Sequence, residues 1–164
     1  MQRSHFVVPV LLLLSAVCSA QQAADPSATA SCNLDDGRQV YIRYNPVSSK
    51  SDKAANGKPW SPGGAPMTLF TEVQLTLDGN TIPIGAYSVY PIPAKDKWSL
   101  AVNKNVKAGV PYDEKQNVAR APIETEQVSQ PSDALEVAFA HVGARCTLRI
   151  YFGKTATFAD FVAK

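Results

Sequence analysis

The chain has 164 residues, enough for one domain, with 16 basic and 14 acidic side chains and a formal charge of +2. That near-balance gives no electrostatic case for a nucleic acid or an anionic membrane surface as partner. With two histidines and three cysteines, and neither a Gly-x-Ser-x-Gly elbow nor a phosphate-cradling glycine loop, the common hydrolase, nucleotide and multi-histidine metal sites are excluded. No cofactor is expected.

Residues 1–20 read as a secretory signal peptide. Arg3 supplies a positive charge, residues 6–14 form an apolar run too short for a bilayer span, and Cys18-Ser19-Ala20 offers small residues for cleavage before Gln21. The competing reading, an acylated lipoprotein Cys18, wants a smaller residue than Val17 before the cysteine. The mature chain is thus expected to be exported, periplasmic or secreted, with no membrane span. Residues 21–31 are small and polar and read as a flexible leader to a domain covering 32–164.

Asp35-Asp36-Gly37 is a turn, and residues 38–44 make a strand with Val40 and Ile42 on one face and Tyr41 on the other. Residues 45–66 are irregular and rich in proline, serine and glycine. A segment of that length inside a compact domain is either functional or disordered. Trp60 within it serves either as an anchor to the core or as a ligand platform.

From 67 to 103 the period is two throughout, which predicts three strands in a meander. Leu69, Thr71, Val73, Leu75 and Leu77 alternate with Phe70, Glu72, Gln74 and Thr76. Asp78-Gly79 is a hairpin signal. Pro83 belongs at a strand start or an edge, the run 86–90 follows, and Trp98, Leu100 and Val102 alternate in the third strand. Residues 112–120 suit either a short helical turn or a loop entering a strand. Residues 121–128 suit an edge strand, with Pro122 and the charges discouraging further pairing. Pro131-Ser132-Asp133 predicts a turn, and residues 135–139 a strand. Cys146, Leu148, Ile150 and Phe152 share a face opposite Thr147, Arg149 and Tyr151, then Gly153-Lys154 turns into a weak terminal strand over 155–162. About eight strands with short turns predict an all-β fold, a single antiparallel sandwich or jelly roll.

After signal removal only Cys32 and Cys146 remain. In an oxidising compartment such a pair is expected to bond. The alternative, a reactive thiol, would want a neighbouring base, and only His141 lies near Cys146 in sequence.

The run GNTIPIGAYSVYPIPAKDKWSLAVNKN followed by YDEKQNVAR resembles the exported bacterial family catalogued as domain of unknown function twenty-nine-eleven. The matching anchors are Gly85, Tyr87, Ile92-Pro93, Trp98, Tyr112-Asp113 and Arg120. Upstream, Trp60, Gly64, Ala65 and Thr68 fit a further motif, whose arginine and asparagine are replaced here. Asn117 stands where the family tends to carry an acid. The resemblance, which runs from about Trp60 to the C-terminus, implies an exported β domain and no particular reaction.

Tyr112, Asp113 and Arg120 are the candidate polar group. A carboxylate held by a guanidinium forms a bidentate pair, which is either a clamp tying a loop to a strand or an acid–base or ligand site, with Trp60 framing a cleft. Asp35-Asp36 reads as turn chemistry and His141 as a structural histidine. Two functions follow. One is a non-catalytic binding or envelope-associated module for a small molecule, glycan or envelope component. The other is a small periplasmic hydrolase or carbohydrate-active enzyme using Tyr112, Asp113 and Arg120.

Overall fold

A computed structural model describes residues 27–95, 97–107 and 109–164; the expected signal peptide lies outside them. The fold is all-β, with ten strands among the described residues in two antiparallel sheets. The six-stranded sheet runs in the order β1 (Ala28–Asn33), β2 (Gln39–Tyr44), β3 (Met67–Thr71), β6 (Gly85–Ile92), β7 (Ser99–Asn103), β8 (Asn117–Pro122). The four-stranded sheet runs β5 (Asn80–Ile82), β4 (Leu75–Leu77), β10 (Arg145–Ala163), β9 (Glu124–Val142). One apolar core, including Val40, Ile42, Leu69, Val89, Leu148 and Phe161, is shared by residues of both sheets.

The expected leader is shorter than its composition suggested. Residues 28–31 belong to β1 and pair with β2, Ala30 opposite Ile42. Small side chains carry no hydrophobic signature, yet the backbone ladder and the inward-facing Ala30 and Cys32 order them. Cys32 and Cys146 are disulfide-bonded, their Cα atoms 6.0 Å apart. The bond joins β1 of the larger sheet to β10 of the smaller.

The expected first meander strand is two strands. Leu69, Thr71, Val73, Leu75 and Leu77 are all buried, so the predicted alternation holds from end to end. The chain nevertheless changes sheets in the middle: β3 pairs with β2 and β6, and β4 with β5 and β10. Thr71 grips the corner, its hydroxyl donating to Val73 O (2.5 Å) and accepting from Val73 N (3.2 Å). Asp78-Gly79 forms the predicted two-residue turn of β4–β5, with φ of 48° and 79°. Positive φ at both positions is the requirement of the type I′ hairpin. The run 121–128 divides the same way. β8 ends at Pro122, buried Ile123 donates its N–H to Trp98 O (2.9 Å), and β9 begins at Glu124 in the other sheet.

Fully extended, the nineteen residues of β10 would span roughly 60 Å. Instead the ends of β10 meet: Ala163 N donates to Ala144 O (2.8 Å), and Thr147 Oγ1 lies 2.5 Å from Asp160 Oδ1. β10 therefore doubles back on itself at Gly153 (φ 58°), the position predicted to turn. Its first half pairs with residues 136–142 of β9 and its second half with 124–127. Thus β9 wraps the tip of the folded-back β10 and reverses direction with it, and the turn predicted at Pro131-Ser132-Asp133 falls within that bend, where the register shifts opposite Gly153.

Candidate functional site

β6 is buried on both faces from Tyr87 to Ile92. Tyr87 and Val89 enter the main core, while Tyr90 and Ile92 form a second small cluster with Ala101, capped by Tyr112. The outer face of the six-stranded sheet is therefore covered by the β7–β8 connection where β6 and β7 lie. That connection is fastened at the rung Arg43–Thr68–Ser88–Asn103–Asn117, one residue from each of five adjacent strands. Asn103, 1% exposed, donates Nδ2 to Asp113 O (2.8 Å) and Asn117 Oδ1 (2.9 Å) and accepts from Asn105 N (2.9 Å). Ser88 Oγ donates to Asn105 O (2.8 Å). Asn117 Nδ2 donates to Tyr112 Oη (2.8 Å), and the Tyr112 ring meets Tyr90 edge-on at 5.0 Å. Burial pushes the Tyr90 phenol above its usual range, and the neighbouring Tyr112 adds to the rise.

Within this connection the expected Asp113–Arg120 pair does not form. Asp113 Oδ1 accepts from Lys115 N (3.0 Å), capping the single 3-10 turn Glu114–Gln116. Arg120 pairs with Glu114 instead, with both side chains about half exposed or more. One turn of helix places Glu114, not Asp113, over the β8 position that Arg120 occupies.

Trp60 lies in the main core, 4% exposed, its ring 4.5 Å from Phe152, whereas Tyr112 caps the opposite face of β6. The structure thus places Tyr112 and Asp113 in the β7–β8 connection, ties Arg120 of β8 to it through Glu114, and leaves Trp60 apart from them. Asp52, which the sequence did not single out, orders the long proline-rich segment. Its carboxylate accepts from Gly63 N (2.7 Å), Lys53 N (2.7 Å) and Trp60 Nε1 (3.4 Å).

The outer face of the four-stranded sheet is different. A cleft of about 440 Å³ opens there, lined by Lys97, Glu124, Thr147, Arg149, Phe158 and Asp160 among others, beside a second of about 390 Å³ that shares Lys97, Glu124 and Phe158. Its origin is the double change of sheet. The second half of β10 pairs with β9 as far as Phe158–Glu124 and with β4 from Phe161–Leu77 onward. Ala159 and Asp160 lie between the two partners, with a gap in the ladder beside them. Asp160 is held by Thr147 and, at 3.5 Å, by Arg145. Among the described residues neither Arg149 nor Glu124 forms an ion pair.

Residues 25–159, from just before β1 to the far end of this cleft, match the family described as a protein of unknown function, DUF2911. The chain belongs to that family. Comparison with curated proteins and with solved structures gives no match.

In this DUF2911 member the anchors quoted from the sequence are fasteners in the geometry. Tyr87 Oη donates to Pro83 O (2.9 Å); Trp98 O receives Ile123 N at the sheet change; Tyr112 closes the second cluster. Asn117, in place of an acid, uses both ends of its amide. The cleft side chains Arg149 and Thr147 were placed on an outward face by alternation. Phe158 belonged to the weakly patterned terminal strand, and only the doubling back of β10 sets it beside Arg149.

Proposed function

We propose that this chain is an exported, non-catalytic binding module of the bacterial envelope, and that its ligand contacts lie in the cleft on the four-stranded sheet. The observation that carries the reading is that cleft. It falls within the roughly 300–1,000 Å³ of small-molecule sites and pairs an aromatic wall with charged groups of both signs; among its described charged groups only Asp160 is tied into the fold, while Phe158 rests edge-on against Tyr151. Trp60, Tyr112, Asp113 and Arg120 serve as scaffold, since each is engaged in holding a loop or the core. Export is supported by the signal-peptide pattern of residues 1–20 and by the Cys32–Cys146 disulfide, which suits an oxidising compartment.

The test is a binding screen by protein NMR against glycans and cell-wall fragments. Phe158→Ala and Arg149→Gln are expected to weaken binding at least tenfold, Arg149→Gln at unchanged melting temperature, while Trp60→Ala lowers the melting temperature. Loss of binding in Asp113→Ala alone, with the cleft variants unaffected, overturns the reading in favour of the Tyr112–Arg120 group.

A further inference from the structure

Resting on the cleft as the binding site, the geometry points to a ligand class: we infer that the cleft takes a zwitterion of dipeptide size, with a free ammonium and a free carboxylate. The two halves of β10 lie in a register set by Ala144–Ala163 and Thr147–Asp160. In that register Arg149 stands opposite Phe158. On the other side of Phe158, β9 pairs Glu124 with it. Arg149, Phe158 and Glu124 therefore form one row across three adjacent strands, a cation and an anion flanking an aromatic ring.

Neighbouring strands lie about 4.8 Å apart, so the two charged residues start roughly 10 Å from one another at the backbone. Long side chains across such a distance are able to meet, but Arg149 and Glu124 do not. Each is left to face the cleft solvent with the ring between them. A guanidinium presents a planar fork that matches a carboxylate, and a carboxylate accepts from an ammonium. Phe158 supplies apolar contact for the few atoms that separate the ligand's charges. Asp160 does not compete for the ammonium, because Thr147 and Arg145 already hold it. Lys97, reaching the cleft from the β6–β7 connection, adds a second cation on the side of the other sheet. A ligand of single charge would leave one flank of the row unmatched.

The experiment titrates the full chain, followed by NMR, with alanyl-alanine, its N-acetyl form, its C-terminal amide, and a neutral glucose oligosaccharide. The free dipeptide is expected to shift the resonances of Arg149 and Phe158. Acetylation and amidation should each weaken binding at least tenfold. In Arg149→Gln the penalty for amidation should vanish while that for acetylation remains, and in Glu124→Gln the reverse. A merely structural role for these exposed residues would not produce that crossed pattern. Binding of the oligosaccharide at the cleft, or dipeptide binding indifferent to end-capping, overturns the zwitterion and leaves the cleft as the binding site. If none of the four probes, nor any member of the broader glycan and cell-wall screen, perturbs the cleft, both proposals fail.

Discussion

The outer faces of the two sheets begin from the same two-residue alternation and end in different states. On the six-stranded sheet the chain covers its own face: the β7–β8 connection lies across β6 and β7, and Ser88, Asn103, Asn117 and Tyr112 are consumed in holding it there. On the four-stranded sheet no such cover among the described residues crosses the Phe158–Asp160 segment, and the change of partner from β9 to β4 leaves a cleft. A polar group buried under a loop has a hydrogen-bonding obligation, and leaving it unmet costs about 1–3 kcal/mol. A polar group in an open cleft has water as partner and is free to exchange it for a ligand. The presence of polar residues on a face therefore says little about function until it is known whether the chain itself uses them.

The contrast can be broken at several points. The largest effect is expected beneath both faces. Replacing Cys32 and Cys146 with alanine opens a loop whose ends are 114 residues apart, which in the chain-entropy view costs about 4–5 kcal/mol, visible as a lowered melting temperature that reductant no longer changes. Next is Asn103→Ala, which strips three hydrogen bonds from a buried position and is expected to cost about 2–3 kcal/mol. Amide hydrogen exchange should then accelerate across the β7–β8 connection and not around the cleft. Equal acceleration at both faces would show that they are not independent.

Alkaline pH probes the two faces of β6, Tyr90 beneath the cover and Tyr87 in the main core. The phenols of Tyr90 and Tyr87 are both raised above 10.0, by burial in each case. Their neutral forms are favoured in the folded chain, so the stability they contribute is complete below pH 10 and is lost as pH climbs through the raised values. Denaturant melts at stepped pH, comparing wild type with Tyr90→Phe, should show a shallower alkaline decline in the variant. Tyr112→Phe, which removes only the bond from Asn117, should cost about 1 kcal/mol. The smallest effects belong to the open face. Arg149→Gln should move stability by no more than about 0.5 kcal/mol, because nothing in the fold depends on it. A loss of several kcal/mol there would mean that the cleft side chain carries structure after all.

Alternation alone determined which side chains face inward, and it did so across interruptions that it could not reveal. Leu69 to Leu77 stay buried on every second residue even though the chain passes from one sheet to the other at Glu72–Gln74, because inward-pointing positions of both sheets share one core. The Asp78-Gly79 hairpin and the turn at Gly153 were legible for a similar reason: their backbone angles are a local demand on residue type. The pairing of Cys32 with Cys146 was legible because the third cysteine, Cys18, falls in the segment read as a signal peptide.

Which strand lies beside which was decided by tertiary structure alone. Whether Arg120 meets Asp113 or Glu114 depends on one turn of 3-10 helix, and whether Trp60 faces a ligand or Phe152 depends on how the 45–66 segment is tied down by Asp52. The row Arg149, Phe158 and Glu124 draws on residues 9 to 34 positions apart. Hydrogen-bond ladders are indifferent to sequence at the level of a single strand, so facing is written locally while partnership is settled only when the whole chain packs.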